Sequence, residues 1–322
     1  MLATQAPSAS NAASLPGLAA YPLDRFGTAC GPLWEAAASI GLTGESRSWS
    51  AKAAQSMKPD LLEKICQRKR QEVAQAIAAE PIEQLMQRAA RASPPRAFFA
   101  AVTSRGDSPR VIAEIKRASP STGLIRPNFD PVAIARAYAD NGAAAISCLT
   151  DWHGFKGKLA YIDQIKRAVE LPVLRKDFII DPYQVYEARA AGADGVLLIA
   201  ECLDEARLLE LMGLAAGLGM TTLVEVYQTD NLLSVQKHLV GRPATLLGIN
   251  NRNLKTMQTN VNRTLELLDR VVDRSILVSE SGIRTHQDIR RLMDAGVYRV
   301  LVGEHLMKQP DVGQALARLI GG

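Results

Sequence analysis

The feature that most constrains this chain is an eightfold alternation of short β-branched runs with helix-like stretches. The runs are Val111–Lys116, Ala143–Thr150, Pro172–Phe178, Gly195–Ala200, Thr221–Val226, Thr245–Asn250, Ser275–Ser281 and Arg299–Glu304, so successive starts lie 23 to 32 residues apart. Helix-like stretches follow near 131–140, 158–169, 182–191, 203–218, 229–238, 262–270, 285–294 and 311–319. Nearly continuous apolar strands separated by helices require a parallel sheet with a helical cover. Eight such units, with strands this short, close on themselves rather than forming an open doubly wound sheet. The expected fold is α/β, a (β/α)8 TIM barrel.

Before the first run, Leu61, Leu62, Ile65, Val73 and Ile77 recur at a spacing that places them on one face of a helix, with basic residues on the other. This extra N-terminal helix leads through a polar linker containing Pro94 and Pro95 into the repeat. Residues 1–56 are rich in Ala, Ser, Gly and Pro and have no sustained period, apart from a short helical stretch around Leu33–Ile40. Such a segment buries too little apolar surface to offset its ordering entropy, so a disordered tail is expected. The division is therefore 1–56 as tail and 57–322 as barrel, with Met57, at the composition shift, read as a start codon.

Charge and cysteine usage narrow the class of function. The net charge is +5, and residues 1–56 hold three acids and three bases, so the surplus belongs to the barrel. A surplus that modest, without a Lys/Arg-dense run, fits an anionic small molecule and argues against a nucleic-acid surface. Cys30, Cys66, Cys148 and Cys202 form no CxxC and read as free thiols of a reducing compartment. The four histidines are scattered, which gives a metal site little support. No apolar run approaches the ~20 residues a membrane span needs, and no charge precedes Asp24 to start a signal peptide. A cytoplasmic protein is expected.

In a barrel of this type the chemistry sits at the C-terminal ends of the strands. The first run ends Glu114-Ile115-Lys116, the third Lys176-Asp177-Phe178, the fifth Glu225-Val226; the sixth runs into Asn250-Asn251-Arg252 and the seventh ends Glu280-Ser281-Gly282. Residues two apart share a strand face, so Glu114 and Lys116 point together, as do Asn250 and Arg252. One charge at a strand end can be a structural ion pair, and for Glu280 or Asp177 alone that reading stands level with a functional one. Lys116, Lys176, Glu225 and Arg252 on four strands are harder to explain that way, because converging charges desolvate one another unless a ligand uses them. Ser281-Gly282 and Gly303-Glu304 put small residues after the seventh and eighth strands, the usual phosphate site of this fold.

Several of these stretches resemble one family. Ile112-Ala113-Glu114-Ile115-Lys116-Arg117-Ala118-Ser119-Pro120-Ser121 is similar to the signature of the indole-3-glycerol-phosphate synthases, as is Val173-Leu174-Arg175-Lys176-Asp177-Phe178-Ile179. Leu223–Val226, Gly248–Leu254, Val278–Ile283 and Leu301–Glu304 continue the resemblance in the expected order, from about Asp60 to the C-terminus. Glu304 stands where some relatives have Ser.

The resemblance implies a carboxy-lyase of tryptophan biosynthesis. It would take 1-(2-carboxyphenylamino)-1-deoxyribulose 5-phosphate through ring closure, decarboxylation and dehydration, with neither metal nor organic cofactor. On this reading Lys176 is the general acid at the carbonyl, with its pKa lowered by the positive charges of Lys116 and Arg252. Glu225 is the acid/base group for dehydration, and Lys116 either holds a substrate anion or donates a proton. Glu114 orients Lys116 or the substrate amine, Asn250 bonds a hydroxyl, and Ser281 completes the catalytic set. Ser119, Phe155, Phe178, Arg252, Glu280, Gly282, Gly303 and Glu304 are the binding candidates, the two phenylalanines as a wall for the anthranilate ring. For Phe178 simple packing is an equal alternative, and for Ser119 a plain turn. A phosphate-binding isomerase barrel and a non-catalytic sugar-phosphate binder are the competing readings. Association with other enzymes of the pathway stays open.

Overall fold

A computed structural model describes residues 61–104, 106–253 and 256–321. The tail at 1–56, its helix around Leu33–Ile40 and the reading of Met57 all lie outside the described residues.

Eight parallel strands close into a barrel: β1 (Arg110–Ile115), β2 (Ala145–Leu149), β3 (Val173–Lys176), β4 (Gly195–Ile199), β5 (Thr221–Val226), β6 (Thr245–Asn250), β7 (Leu277–Glu280) and β8 (Arg299–Val302). The ring closes at β1, where Ile112 sits opposite Leu301 of β8 on one side and Ala145 of β2 on the other. The helices before and within the first half are α1 (Leu61–Ala79), α2 (Ile82–Arg91), α3 (Phe98–Thr103), α4 (Pro131–Asp140), α5 (Trp152–Phe155), α6 (Ala160–Ala168) and α7 (Pro182–Ala190). The second half carries α8 (Glu205–Gly217), α9 (Thr229–Leu239), α10 (Arg263–Leu267), α11 (His286–Asp294), α12 (Glu304–Lys308) and α13 (Val312–Gly321).

Local chemistry sets where many of these elements begin. Asp130 caps α4 by accepting from the amides of Val132 and Ala133, and Pro131 takes the first helical position, where an N–H has no partner to lose. Asp181-Pro182 repeats the device at α7, and Thr285 with Asp288 forms a capping box at α11.

The period of two divides each strand. On β1, Val111, Ala113 and Ile115 face the helices in the outer core, while Ile112 joins Leu174, Leu223, Leu246, Val278 and Leu301 inside the barrel. Phe98 and Val102 of α3, both fully buried, belong to the same inner cluster. The Phe99 amide donates to Thr221 Oγ at the start of β5 (3.1 Å), so α3 closes the N-terminal end of the barrel. The C-terminal end stays open, and there the inward-facing positions turn polar.

The stretch with Pro94 and Pro95 is a loop, as expected of a linker, but two helices that were not expected, α2 and α3, flank it. Among the described residues of α2 only Leu85 and Ala89 are buried, too sparse an apolar period to read from the sequence. Helices α5 and α12 and a hairpin of Ala118–Ser119 with Gly123–Leu124 were likewise not expected; all are short and sit in loops. On α1 the buried face is Leu62, Ile65, Cys66, Lys69 and Val73, so one of the basic residues expected on the outer face lies inside. Ile77, expected on the apolar face, is exposed.

Candidate active site

A cavity of about 310 Å³ opens at the C-terminal ends of the strands. Among its lining residues are Glu114, Lys116, Ser119, Phe155, Lys176, Phe178, Glu225, Asn250, Arg252, Ser281, Gly282, Gly303 and Glu304, so side chains from every part of the repeat converge on one space. Glu280, expected as a binding residue, is not on that wall: it is 1% exposed and lies beneath Lys176.

Lys176 is the centre of the floor. Its Nζ lies 2.9 Å from Glu225 Oε2 and 3.3 Å from Glu280 Oε2. Burial alone would pull this ammonium's pKa down, but Glu225, Glu280 and Glu114 outweigh it and hold the pKa above its ordinary value. The expected lowering by Lys116 and Arg252 is therefore wrong. Lys116 is neutralised by Glu114 (2.7 Å) and Arg252 by Glu304 (2.7 Å), which leaves carboxylates to dominate around Lys176.

The two glutamates beside Lys176 are driven apart. Burial raises both, yet Glu225 stays below its usual range because Lys176 pairs with it and Asn250 Nδ2 donates to its other oxygen at 2.9 Å. Glu280 is pushed up to about 8 by burial and by the neighbouring Glu225 charge, against the pull of Lys176. Near neutrality the three groups carry one ammonium, one carboxylate and one carboxylic acid, a net charge of zero.

The opposite wall is cationic. Arg252 donates from Nη1 to Ser121 Oγ (2.8 Å) and from Nη2 to Glu304 Oε2 (2.7 Å), and its amide donates to Asn250 Oδ1 (2.9 Å). Lys308, four residues along α12, reaches the other Glu304 oxygen at 2.7 Å. Ser281 and Gly282 are consecutive residues in the left-handed region, with φ of 69° and 80°. A non-glycine there is strained, and Asn251 Nδ2 steadies it by donating to the Ser281 carbonyl at 3.0 Å. Successive amides in such a turn form a concavity suited to an anion. Gly303 is under a further constraint: a Cβ there would overlap the Glu114 carboxylate.

The apolar wall is made by Phe155, Phe178, Leu149, Leu197 and Ile199. The two rings stand 6.4 Å apart at 37°. Phe155 is on α5, capped by Asp151, and Phe178 lies two residues past the end of β3. Ser119 Oγ accepts from the Thr122 amide at 3.3 Å, which is the plain turn weighed for it, although it also borders the cavity.

Sequence reasoning passed over Arg284, His305 and Lys308 on the cavity wall, and Lys69 behind it. Lys308 was signalled by its i,i+4 spacing from Glu304, and Arg284 by its place two residues after Gly282. Lys69 Nζ contacts Asp151 and Asp177, each at 2.9 Å. Asp177 also bonds Thr150 Oγ and Arg175, so its charge is consumed in structure. The Cys202 thiol, in the turn after β4, is held above its ordinary pKa by Cys66 of α1, far away in sequence, and by burial.

Comparison with known proteins agrees with this geometry. The family model for indole-3-glycerol phosphate synthase matches residues 62–319. The chain is 46% identical over 264 residues to the indole-3-glycerol phosphate synthase of Rhodospirillum rubrum, covering 81% of this chain and 99% of that one. To the enzyme of the same name from Rhodopirellula baltica it is 45% identical over 260 residues, covering 81% and 98%. Among solved structures, 3-hexulose-6-phosphate synthase from Salmonella typhimurium superposes with a TM-score of 0.51 at 15% identity, over 65% of this chain and 96% of that one. At that identity the likeness is one of fold.

Proposed function

The chain belongs to the indole-3-glycerol phosphate synthase family, and from that premise we propose how the barrel mouth divides the work of the reaction. The activity is that of a carboxy-lyase of tryptophan biosynthesis acting on a small phosphorylated substrate. In 1-(2-carboxyphenylamino)-1-deoxyribulose 5-phosphate, the reacting carbonyl lies between an aromatic ring and a phosphate. The cavity has the same order, with an apolar wall, Lys176 on the floor and a cationic wall. That match carries the proposal.

The anthranilate ring lies against Phe155 and Phe178, and the phosphate lies at Ser281-Gly282 and Gly303 within reach of Arg252, Lys308 and Arg284. Lys176 gives a proton to the carbonyl oxygen as the ring carbon bearing the carboxylate attacks the carbonyl carbon. Carbon dioxide then leaves, and its bonding electrons return to the ring. Glu280, a carboxylic acid near neutrality, restores the proton that Lys176 gave up. In the last stage Glu225, ionised, removes a proton while the hydroxyl formed from the carbonyl departs as water with a proton from Lys116. Glu114 holds Lys116 in place, and Asn250 fixes the Glu225 carboxylate.

The depressed pKa of Glu225 is the reason for giving it the base half of the dehydration alone. The test is product fluorescence: wild-type protein generates indole-3-glycerol phosphate from this substrate, whereas Lys176→Ala binds the substrate and forms the fluorescent product far more slowly. A variant that still makes indole-3-glycerol phosphate at the wild-type rate overturns the assignment. The proposal places the reaction in residues 57–322, working in the cytoplasm. Among the described residues no helix is long and apolar enough to cross a membrane.

A further inference from the structure

The cationic wall already contains an anion of its own. Glu304 is the first residue of α12, and its carboxylate is shared by two cations and a hydroxyl. Oε2 accepts from Arg252 at 2.7 Å, while Oε1 accepts from Lys308 at 2.7 Å and from Thr122 Oγ at 3.3 Å. The same Arg252 binds Ser121, so one carboxylate joins the tips of β6 and β8 to the loop that follows β1. Arg252, Lys308 and Lys116 hold Glu304 ionised down to about 2, although burial works against them. The side chain is 22% exposed and stands on the wall of the cavity that Ser281 and Gly282 also line, one residue from Gly303. A structural ion pair has no need to sit there. The cations a substrate's phosphate requires are the cations this carboxylate occupies.

We propose that Glu304 is a resident anion that competes with the substrate's phosphate for Arg252 and Lys308, and so sets the charge a ligand must bring to this end of the cavity. This deepens the phosphate assignment made above and rests on it. A dianionic phosphate ester brings two charges and offers oxygens to both cations and to the Ser281-Gly282 amides, so it displaces the carboxylate. A carboxylate or an uncharged hydroxyl in the same place has no such advantage and leaves Glu304 where it is. On displacement Glu304 releases Thr122 and, through Arg252, Ser121. Ligand selection is thereby coupled to the loop after β1, which also carries Ser119 to the wall of the same cavity.

Inorganic phosphate is the probe, used as a competitive inhibitor of the full-length enzyme near pH 8, where it is dianionic. Glu304→Gln keeps the shape and removes the charge; Glu304→Ala removes both, and thermal melting shows whether each variant is folded. The expected result is tighter phosphate inhibition in both variants, on the order of fivefold, the scale of one partly exposed charge pair. In the wild type the phosphate inhibition constant should be larger than in either variant at every ionic strength tested. Equal or weaker inhibition in Glu304→Gln overturns the competition and leaves Glu304 as a strut for Arg252. If phosphate inhibits neither the wild type nor the variants, the phosphate subsite itself is misplaced and both readings fall. Arg252→Ala separates the cases further, since loss of inhibition there with no gain in Glu304→Gln keeps the subsite and removes the proposal.

Discussion

Lys69, in the third turn of α1, puts its ammonium 2.9 Å from the carboxylate of Asp177, the residue that follows Lys176. The same nitrogen lies 2.9 Å from Asp151, which caps the short helix carrying Phe155. All three groups are buried, with side chains 4%, 2% and 0% exposed. A helix outside the eightfold repeat is therefore tied by charge to the two strand ends that present the acid and the aromatic wall.

Replacing Lys69 with Met leaves two buried carboxylates short of a partner. Breaking a buried pair costs about 3–5 kcal/mol. Arg68 still reaches Asp151 at 3.3 Å and Arg175 still reaches Asp177 at 3.2 Å, so the expected loss is smaller, about 2 kcal/mol. Urea unfolding measures it, and a midpoint equal to wild type would show that the arginines suffice.

Acid should unfold the protein partly through Asp177. Burial raises its pKa, but Arg175 and Lys69 carry it down from 3.8 to about 2. A carboxyl group depressed in the folded state contributes stability that is complete above its unfolded pKa and is lost as pH falls toward the folded one. The window is therefore from about 4 down to about 2. Asp177→Asn, once its overall destabilisation is subtracted, should show a shallower loss of stability across that window; an unchanged slope would place the acid sensitivity elsewhere.

Glu280 has the opposite shift, up to about 8. If its proton refills Lys176, turnover depends on the acid form and falls as pH rises through about 8. Glu280→Gln keeps the neutral shape but has no proton to give. Its turnover should be lower at pH 7, and the basic limb near 8 should vanish from the pH–rate profile. A limb that persists in the variant belongs to another group.

Much of this site was legible because strands enforce alternation. Glu114 and Lys116, two apart at a strand end, had to share a face, and they meet at 2.7 Å. Ionisation was less accessible, because it depends on which charges pair across strands. Only the folded mouth shows Lys116 and Arg252 consumed by Glu114 and Glu304, and Lys176 left among carboxylates. Lys69 was hidden for a different reason. A lysine at i+7 from Leu62 and i+4 from Ile65 lies on the apolar face by period alone, but its basic character assigned it to solvent. Its two buried carboxylate partners, Asp151 and Asp177, are more than 80 residues away in the chain.

Gly303 was read as a neighbour of the phosphate, yet the group that leaves no room for a Cβ is the Glu114 carboxylate. Gly303→Ala should therefore displace Glu114 and with it Lys116, lowering turnover by about tenfold or more as well as raising KM. Steady-state kinetics separate the two effects. A change confined to KM would return the glycine to the phosphate alone.

The division between Lys176 and Glu225 is the most direct test of the reaction path. The two residues are salt-bridged at 2.9 Å but are given different steps, so their variants should stop at different species. Lys176→Ala removes the proton that makes the carbonyl carbon attackable, and turnover should fall by a factor on the order of 10²–10⁴ with no early release of carbon dioxide. Glu225→Gln keeps the hydrogen-bonding shape but cannot take a proton, so ring closure and carbon dioxide release proceed while dehydration slows. Rapid-quench analysis of a single turnover should then find a ring-closed species that has lost carbon dioxide and retains its hydroxyl. The amide also removes one carboxylate from beside Lys176, which lowers that ammonium's pKa and makes it the stronger acid; the first stage should not be slowed on that account. If Glu225→Gln blocks carbon dioxide release as completely as Lys176→Ala, the pair acts as one unit in ring closure. Both halves of the dehydration would then pass to Lys116 and its partner Glu114.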